Sequence, residues 1–186
     1  MTENNIEYTV GLDLSLDHGG IVVLDVAGNV VDAGFITTVK KYATLDPRAI
    51  VLSKIEKGEA KEHFRVRRFQ EYFNAICDHI DAVNMIQLTS GKVQFCLEGY
   101  AFNAKSTGIL QIAELTGFIK HKLWYHRALL RIHDPLSVKM FATGSGTATK
   151  KDVVNWANGR DGMEIPECIL KQVKKNNVGS DINTFK

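Results

Sequence analysis

The chain has 186 residues, 45% of them apolar and 24% charged, with a net charge of +2. That is the size and composition of one globular domain with a real core. No apolar run approaches the roughly 20 residues that a bilayer-spanning helix needs, and the polar, acidic opening Met1–Glu7 has no signal-peptide pattern, so a cytoplasmic protein is expected.

Tyr8–Ser15 reads as a short apolar strand, Gly19–Val26 as a second and Val30–Ile36 as a third, with the turn residues Ala27, Gly28 and Asn29 between the last two. Short turns make these three an antiparallel meander. Residues 37–60 are polar and irregular, broken by Pro47 and Gly58, and are expected to form a variable surface excursion. Lys61–Met85 reads as a helix because Val66, Phe69, Phe73, Ile76, Ile80 and Val83 recur at steps of three and four. Val93–Tyr100 is a fourth strand. Ser106–Tyr125 is a helix with Ile109, Ile112, Ala113, Thr116, Ile119 and Leu123 on one side, and Leu129–His133 is a fifth strand. Asp134 and Pro135 open a short helix that Gly144 ends. Thr149 and Asp152 form a capping-box pattern for a last helix, closed by Gly159. The pattern is that of an α/β or α+β domain: a mixed five-stranded sheet with helices on its faces.

Charge is unevenly spread. Residues 1–119 hold 11 Lys/Arg and 15 Asp/Glu, a net −4, and residues 120–186 hold 12 and 6, a net +6. A basic C-terminal third is what a polyanion-binding face needs. The three cysteines, Cys77, Cys96 and Cys168, are odd in number and widely spaced, which argues against a zinc site or a disulfide framework and for buried free thiols.

Two acids stand out. Asp13 lies within the apolar run Val10–Leu16, and Glu98 ends the apolar run Phe95–Leu97. An acid in an apolar strand is costly unless it is paired or binds a metal. Two on separate strands, each followed by a turn, suggest carboxylates converging at one edge of a sheet. Carboxylate oxygens favour Mg²⁺ or Mn²⁺. Asp17, four residues after Asp13, is the runner-up acid. No histidine pairs with another His or with a Cys at metal-ligand spacing; His121 and His126 read as surface and His133 as structural. Residues Gly144–Gly146 lack the phosphate-loop pattern but could turn backbone N–H groups to a phosphate.

Three blocks resemble the RuvC-like Holliday junction resolvases, particularly phage-type members. The first is Gly11–Ser15 with Gly19 and Gly20. The second is Leu97–Ser106, leading into the helix with Leu110 and Gly117. The third is Asp134–Lys139 followed by Thr143–Val153. The resemblance covers residues 8–158 and implies a single ribonuclease H-like nuclease domain over 1–186, an antiparallel meander plus two parallel strands. It implies a structure-selective, metal-dependent endodeoxyribonuclease of DNA recombination and repair, acting on branched DNA in the cytoplasm of a bacterial host, with two Mg²⁺ or Mn²⁺ ions and no organic cofactor. By carry-over, Asp13 and Glu98 are metal ligands and catalytic. Lys139 and Lys150 reach the scissile phosphates, and Tyr100 or Phe102 stacks at the opened junction. Asn103, Lys105, Ser145 and Lys151 complete the DNA-binding set. The Ser106–Tyr125 helix lies near the axis of a homodimer, which suits a symmetric junction.

The family places its last carboxylates on a C-terminal helix. Here Asp181 is the only acid after Glu167, and it is the candidate third catalytic and metal-binding residue. The departure leads to the expectation that this chain binds branched DNA, holds Mg²⁺ weakly and cuts slowly or not at all. The alternative reading is accordingly a catalytically impaired DNA-binding or scaffold protein. An actin-like or sugar-kinase-type ATPase shares the opening aspartate strand but needs a second phosphate-binding hairpin and more chain.

Overall fold

The computed structural model describes residues 6–44, 48–82, 91–99 and 108–158. The chain divides into two compact units, Met1–Asp134 and Pro135–Lys186. The first carries strands β1 (Tyr8–Asp13), β2 (His18–Asp25) and β3 (Val30–Thr37), the short helix α1 (Lys40–Ala43), β4 (Ala49–Val51), α2 (Lys61–Ala82), β5 (Val93–Glu98), α3 (Gly108–Tyr125) and β6 (Leu129–His133). Helices α4 (Pro135–Thr143) and α5 (Lys150–Asn158) belong to the second.

The strands form one sheet in the order β4-β3-β2-β1-β5-β6. The predicted meander is present: β1, β2 and β3 pair antiparallel, with Gly28 at φ +86° in the β2–β3 turn. The two predicted parallel strands follow, β5 beside β1 and β6 beside β5. The sheet has a sixth strand, which corrects the expected five. Ala49–Val51 pairs parallel with β3, and the adjoining Leu52 is buried at 4% exposure. Three apolar residues are too few to show a period in the sequence, so β4 was hidden within 37–60.

That segment is also anchored further along. Arg67 on α2 donates to Glu59 at 2.7 and 2.9 Å and to Glu71 at 2.6 Å. Glu71 accepts the Ser53 backbone N–H at 2.9 Å and the Ser53 hydroxyl. The Arg67 hydrogen bond holds the Glu59 carboxyl well below its usual range, at about 2. Burial alone would raise the Glu71 carboxyl, but the Ser53 and Arg67 hydrogen bonds outweigh it and lower the pKa.

Alternation explains the core. Val10 and Leu12 of β1 pair with Val23 and Ile21 of β2, and with Phe95 and Leu97 of β5, all at or below 5% exposure. Each such side chain removed from water contributes about 1.5–3 kcal/mol. Helices α2 and α3 cover this face. Phe69, Tyr72, Phe73, Ile76, His79 and Ile80 form the buried stripe of α2, and Leu115, Thr116, Ile119 and Leu123 that of α3. Val66, expected on the α2 stripe, is exposed, while Tyr72 takes a core position. The α2 and α3 helices also meet through the Arg65–Glu114 ion pair at 3.2 Å and the Phe69–Phe118 rings.

Close approach dictates one glycine of β3. A Cβ on Gly34 would lie 2.1 Å from His79 Cε1, and the His79 Nδ1 atom is 2.9 Å from the Asp32 carboxylate. Cys77 and Cys96 are free and half-buried rather than fully buried as expected. Burial pushes both thiols up, Cys77 to about 11, so neither is a ready nucleophile.

In the second unit, Gly144 ends α4 at φ +76° with its N–H on the Met140 carbonyl, the left-handed cap the sequence predicts. The capping box at α5 is formed in both directions. Thr149 N–H reaches Asp152 Oδ2 at 2.8 Å, and Asp152 N–H reaches Thr149 Oγ1 at 3.3 Å. No described helix is long and apolar enough to cross a membrane.

Candidate active site

Parity within the strands places the two candidate acids. Leu12 and Leu97 are in register across the parallel β1–β5 pair and both face the core. Asp13 and Glu98 follow them immediately, so both turn to the opposite face of the sheet and both are exposed. The carboxyl ends of two adjoining parallel strands, about 4.8 Å apart, therefore carry one carboxylate each. Glu98 is also in register with His133 on β6, and the Gly99 N–H bonds to the His133 carbonyl at 2.7 Å. His133, expected to be structural, is exposed beside Glu98.

Two neighbouring carboxylates repel each other, and a divalent cation between them reverses that cost. Hard oxygen donors of this kind suit Mg²⁺ or Mn²⁺, so the pair fits the implied metal. Among the described residues no group of three or more His, Cys, Asp or Glu side chains could hold an ion. Asp181, the predicted third ligand, lies outside the described residues, as do Tyr100, Phe102, Asn103 and Lys105. Asp17 is engaged elsewhere: its Oδ1 accepts from Arg68 at 3.1 Å and from Thr38 Oγ1 at 3.3 Å.

Beneath Asp13 sits Tyr72, on α2. It is 2% exposed, and its hydroxyl accepts the Ser15 N–H at 3.5 Å. Burial raises this phenol above its ordinary range, and the nearby Asp13 charge adds to the shift. Sequence reasoning passed over Tyr72 because the stripe of α2 was read from apolar residues alone. The signal that could have found it is its spacing of four from Arg68.

The predicted phosphate-binding residues lie in the second unit. Lys139 is half-buried on α4, and Lys150 and Lys151 are exposed in the first turn of α5. In the loop between the helices the Ser145 N–H is taken by Thr143 Oγ1 at 3.2 Å, and its hydroxyl shares a hydrogen bond with Thr147 Oγ1 at 3.1 Å.

No family model matches the sequence, and no curated protein matches it. Solved structures do. Thermus thermophilus RuvC is similar at a TM-score of 0.54 and 14% identity, over 86% of this chain and 82% of that one. T. thermophilus RuvC in complex with Holliday junction substrate is similar at 0.56 and 14%, over the same shares. A TM-score above 0.5 over that length shows a shared fold. The chain has the ribonuclease H-like fold of RuvC.

Proposed function

We propose that the protein is a divalent-metal-dependent endodeoxyribonuclease that recognises and cuts four-way junctions or other branched DNA. The observation that carries this reading is the pairing of Asp13 and Glu98 at the carboxyl ends of adjoining parallel strands, in a fold whose solved example binds a Holliday junction substrate. Both compact units are taken as one nuclease domain acting in the cytoplasm. A phage origin is proposed from the motifs alone.

In this reading Asp13 and Glu98 hold Mg²⁺ or Mn²⁺, as two ions, with Asp181 as the proposed third ligand. Such ions, when bound, supply an activated water and offset charge on the phosphate. The chain's own work is to position and neutralise the DNA. Lys139, Lys150 and Lys151 meet phosphates, with Ser145, Asn103 and Lys105 as further contacts, and Tyr100 or Phe102 stacks on a base. One feature of α5 favours this use of its lysines. Cations in the first turn of a helix oppose its dipole, so Lys150 and Lys151 do not serve helix stability; a docked phosphate would gain from both the lysines and the helix terminus.

Replacing Lys139 and Lys150 together with Ala should flatten the salt dependence of junction binding by about one unit of log–log slope per lost phosphate contact. Filter binding between low and moderate salt measures this, and an unchanged slope removes both lysines from the interface.

A symmetric junction also calls for a symmetric partner, and we assign the second protomer to α3. Leu110, Gly117 and Trp124 recur every seven residues on its solvent side, with Leu110 and Trp124 at 72% and 69% exposure and open space beside Gly117. Gly117→Leu should lower dimer affinity at least about tenfold, some 1.4 kcal/mol, together with cleavage. Sedimentation at micromolar concentration reads it, and a monomeric parent contradicts it. The alternative, a DNA-binding protein that kept the fold without the chemistry, differs in one outcome: junction binding with no cutting in Mg²⁺ or Mn²⁺.

A further inference from the structure

We propose that helix α2 sets the position of the Asp13 carboxylate, with Tyr72 and Arg68 acting as positioning residues through the turn 14–17. The proposal rests on the metal-site reading above and deepens it.

Strand β1 ends at Asp13, and its partner β2 begins at His18. Asp13 is still paired with Gly20 on β2, so the ladder sets the face it turns to, while the four residues after it leave the ladder and fix the chain on its far side. Three hydrogen bonds from one helix face hold this turn. Tyr72 receives the Ser15 N–H, while Arg68 donates to the Leu16 carbonyl and to Asp17 Oδ1 at 3.1 Å. Arg68 and Tyr72 are four apart and therefore share a side of α2. Asp17 is held from the residue after β3 as well, since the Thr38 N–H reaches its carbonyl at 3.2 Å and the Thr38 hydroxyl its carboxylate.

Gly19 shows how closely the parts fit. A Cβ there would lie 1.5 Å from the Tyr72 hydroxyl and 3.0 Å from the Asp13 carbonyl oxygen. The phenol tip thus occupies the space that the missing side chain leaves beside the Asp13 backbone.

Core packing alone does not call for a hydroxyl here. A phenylalanine would bury the same ring, and a buried hydroxyl costs free energy unless it is hydrogen-bonded. A 3.5 Å contact is long and adds little stability. Its value is in direction, because a metal ligand has to be held within about 0.5 Å of its working place. Groups that orient metal ligands govern metal affinity.

The test uses the full chain and its Tyr72→Phe, Arg68→Gln and Asp13→Asn variants. Three quantities are read: Mn²⁺ affinity from the free-ion electron paramagnetic resonance signal, hydrogen exchange of the Ser15 amide without metal, and the melting temperature. Tyr72→Phe should melt within a few degrees of the parent, exchange Ser15 faster and bind Mn²⁺ about two- to threefold more weakly, the share that one long hydrogen bond can hold. Arg68→Gln should move affinity in the same direction, and it keeps the test open should Tyr72→Phe fail to fold. Parent-like Mn²⁺ affinity in both folded variants, with Asp13→Asn impaired, overturns the positioning role and leaves the metal site standing. Equal Mn²⁺ affinity in the parent and Asp13→Asn overturns the metal site, and the positioning role with it.

Discussion

Asp13→Asn and Glu98→Gln are each expected to lower metal-dependent cleavage of branched DNA by more than about 100-fold while leaving junction binding largely intact. Both substitutions keep the shape of the side chain and remove one negative charge. Both positions are exposed on the face of the sheet away from the α2–α3 core, so no packing is lost. Exposed positions tolerate such changes, so the melting temperature should stay within a few degrees of the parent. This combination, an intact fold with lost cutting, separates a metal ligand from a structural acid. A near-parent cleavage rate in either variant, under conditions where the parent cuts, would remove that residue from the site.

Phe95→Ala is expected to be the most damaging single change to the fold. Phe95 is fully buried on β5, in register with Val10 of β1 on one side and Leu130 of β6 on the other. Truncating a buried phenylalanine costs about 3–5 kcal/mol, from lost burial and the cavity left behind. Native domains have only about 5–15 kcal/mol in total. Much of the margin would go, and with it the strand that presents Glu98. Urea unfolding of the parent and variant measures the difference. A loss below about 1 kcal/mol would show that Phe95 is not at the centre of the core.

The strands that carry Asp13 and Glu98 were legible because each is an apolar run, and each acid falls on the outward parity of its strand. Leu129–His133 and the caps at Gly144 and Thr149 were legible because each rests on local chemistry. Strand β4 was not, since its pairing with β3 is made by distant backbone and its three residues carry no period. Val66 was assigned to the wrong side of α2 because periodicity tolerates several stripes until the sheet selects one. Tyr72 and His79 belong to the chosen stripe, but as polar groups they were left off an apolar template. Their partners, Ser15 and Asp32, are 57 and 47 residues away. The Arg67 cluster was hidden for the same reason: charges in a polar segment look solvated until the fold brings Glu59, Glu71 and Ser53 to one guanidinium.

The central claim is that Asp13 and Glu98 form a metal site serving branched DNA. It is met most directly by incubating the chain with a labelled four-way junction and with a linear duplex of the same sequence, in Mg²⁺, in Mn²⁺ and in a chelator. The account predicts binding to the junction at least about tenfold tighter than to the duplex, worth some 1.4 kcal/mol, and nicks confined to the junction that disappear in the chelator. Equal affinity for the two DNAs, or cutting that persists without metal, would contradict it.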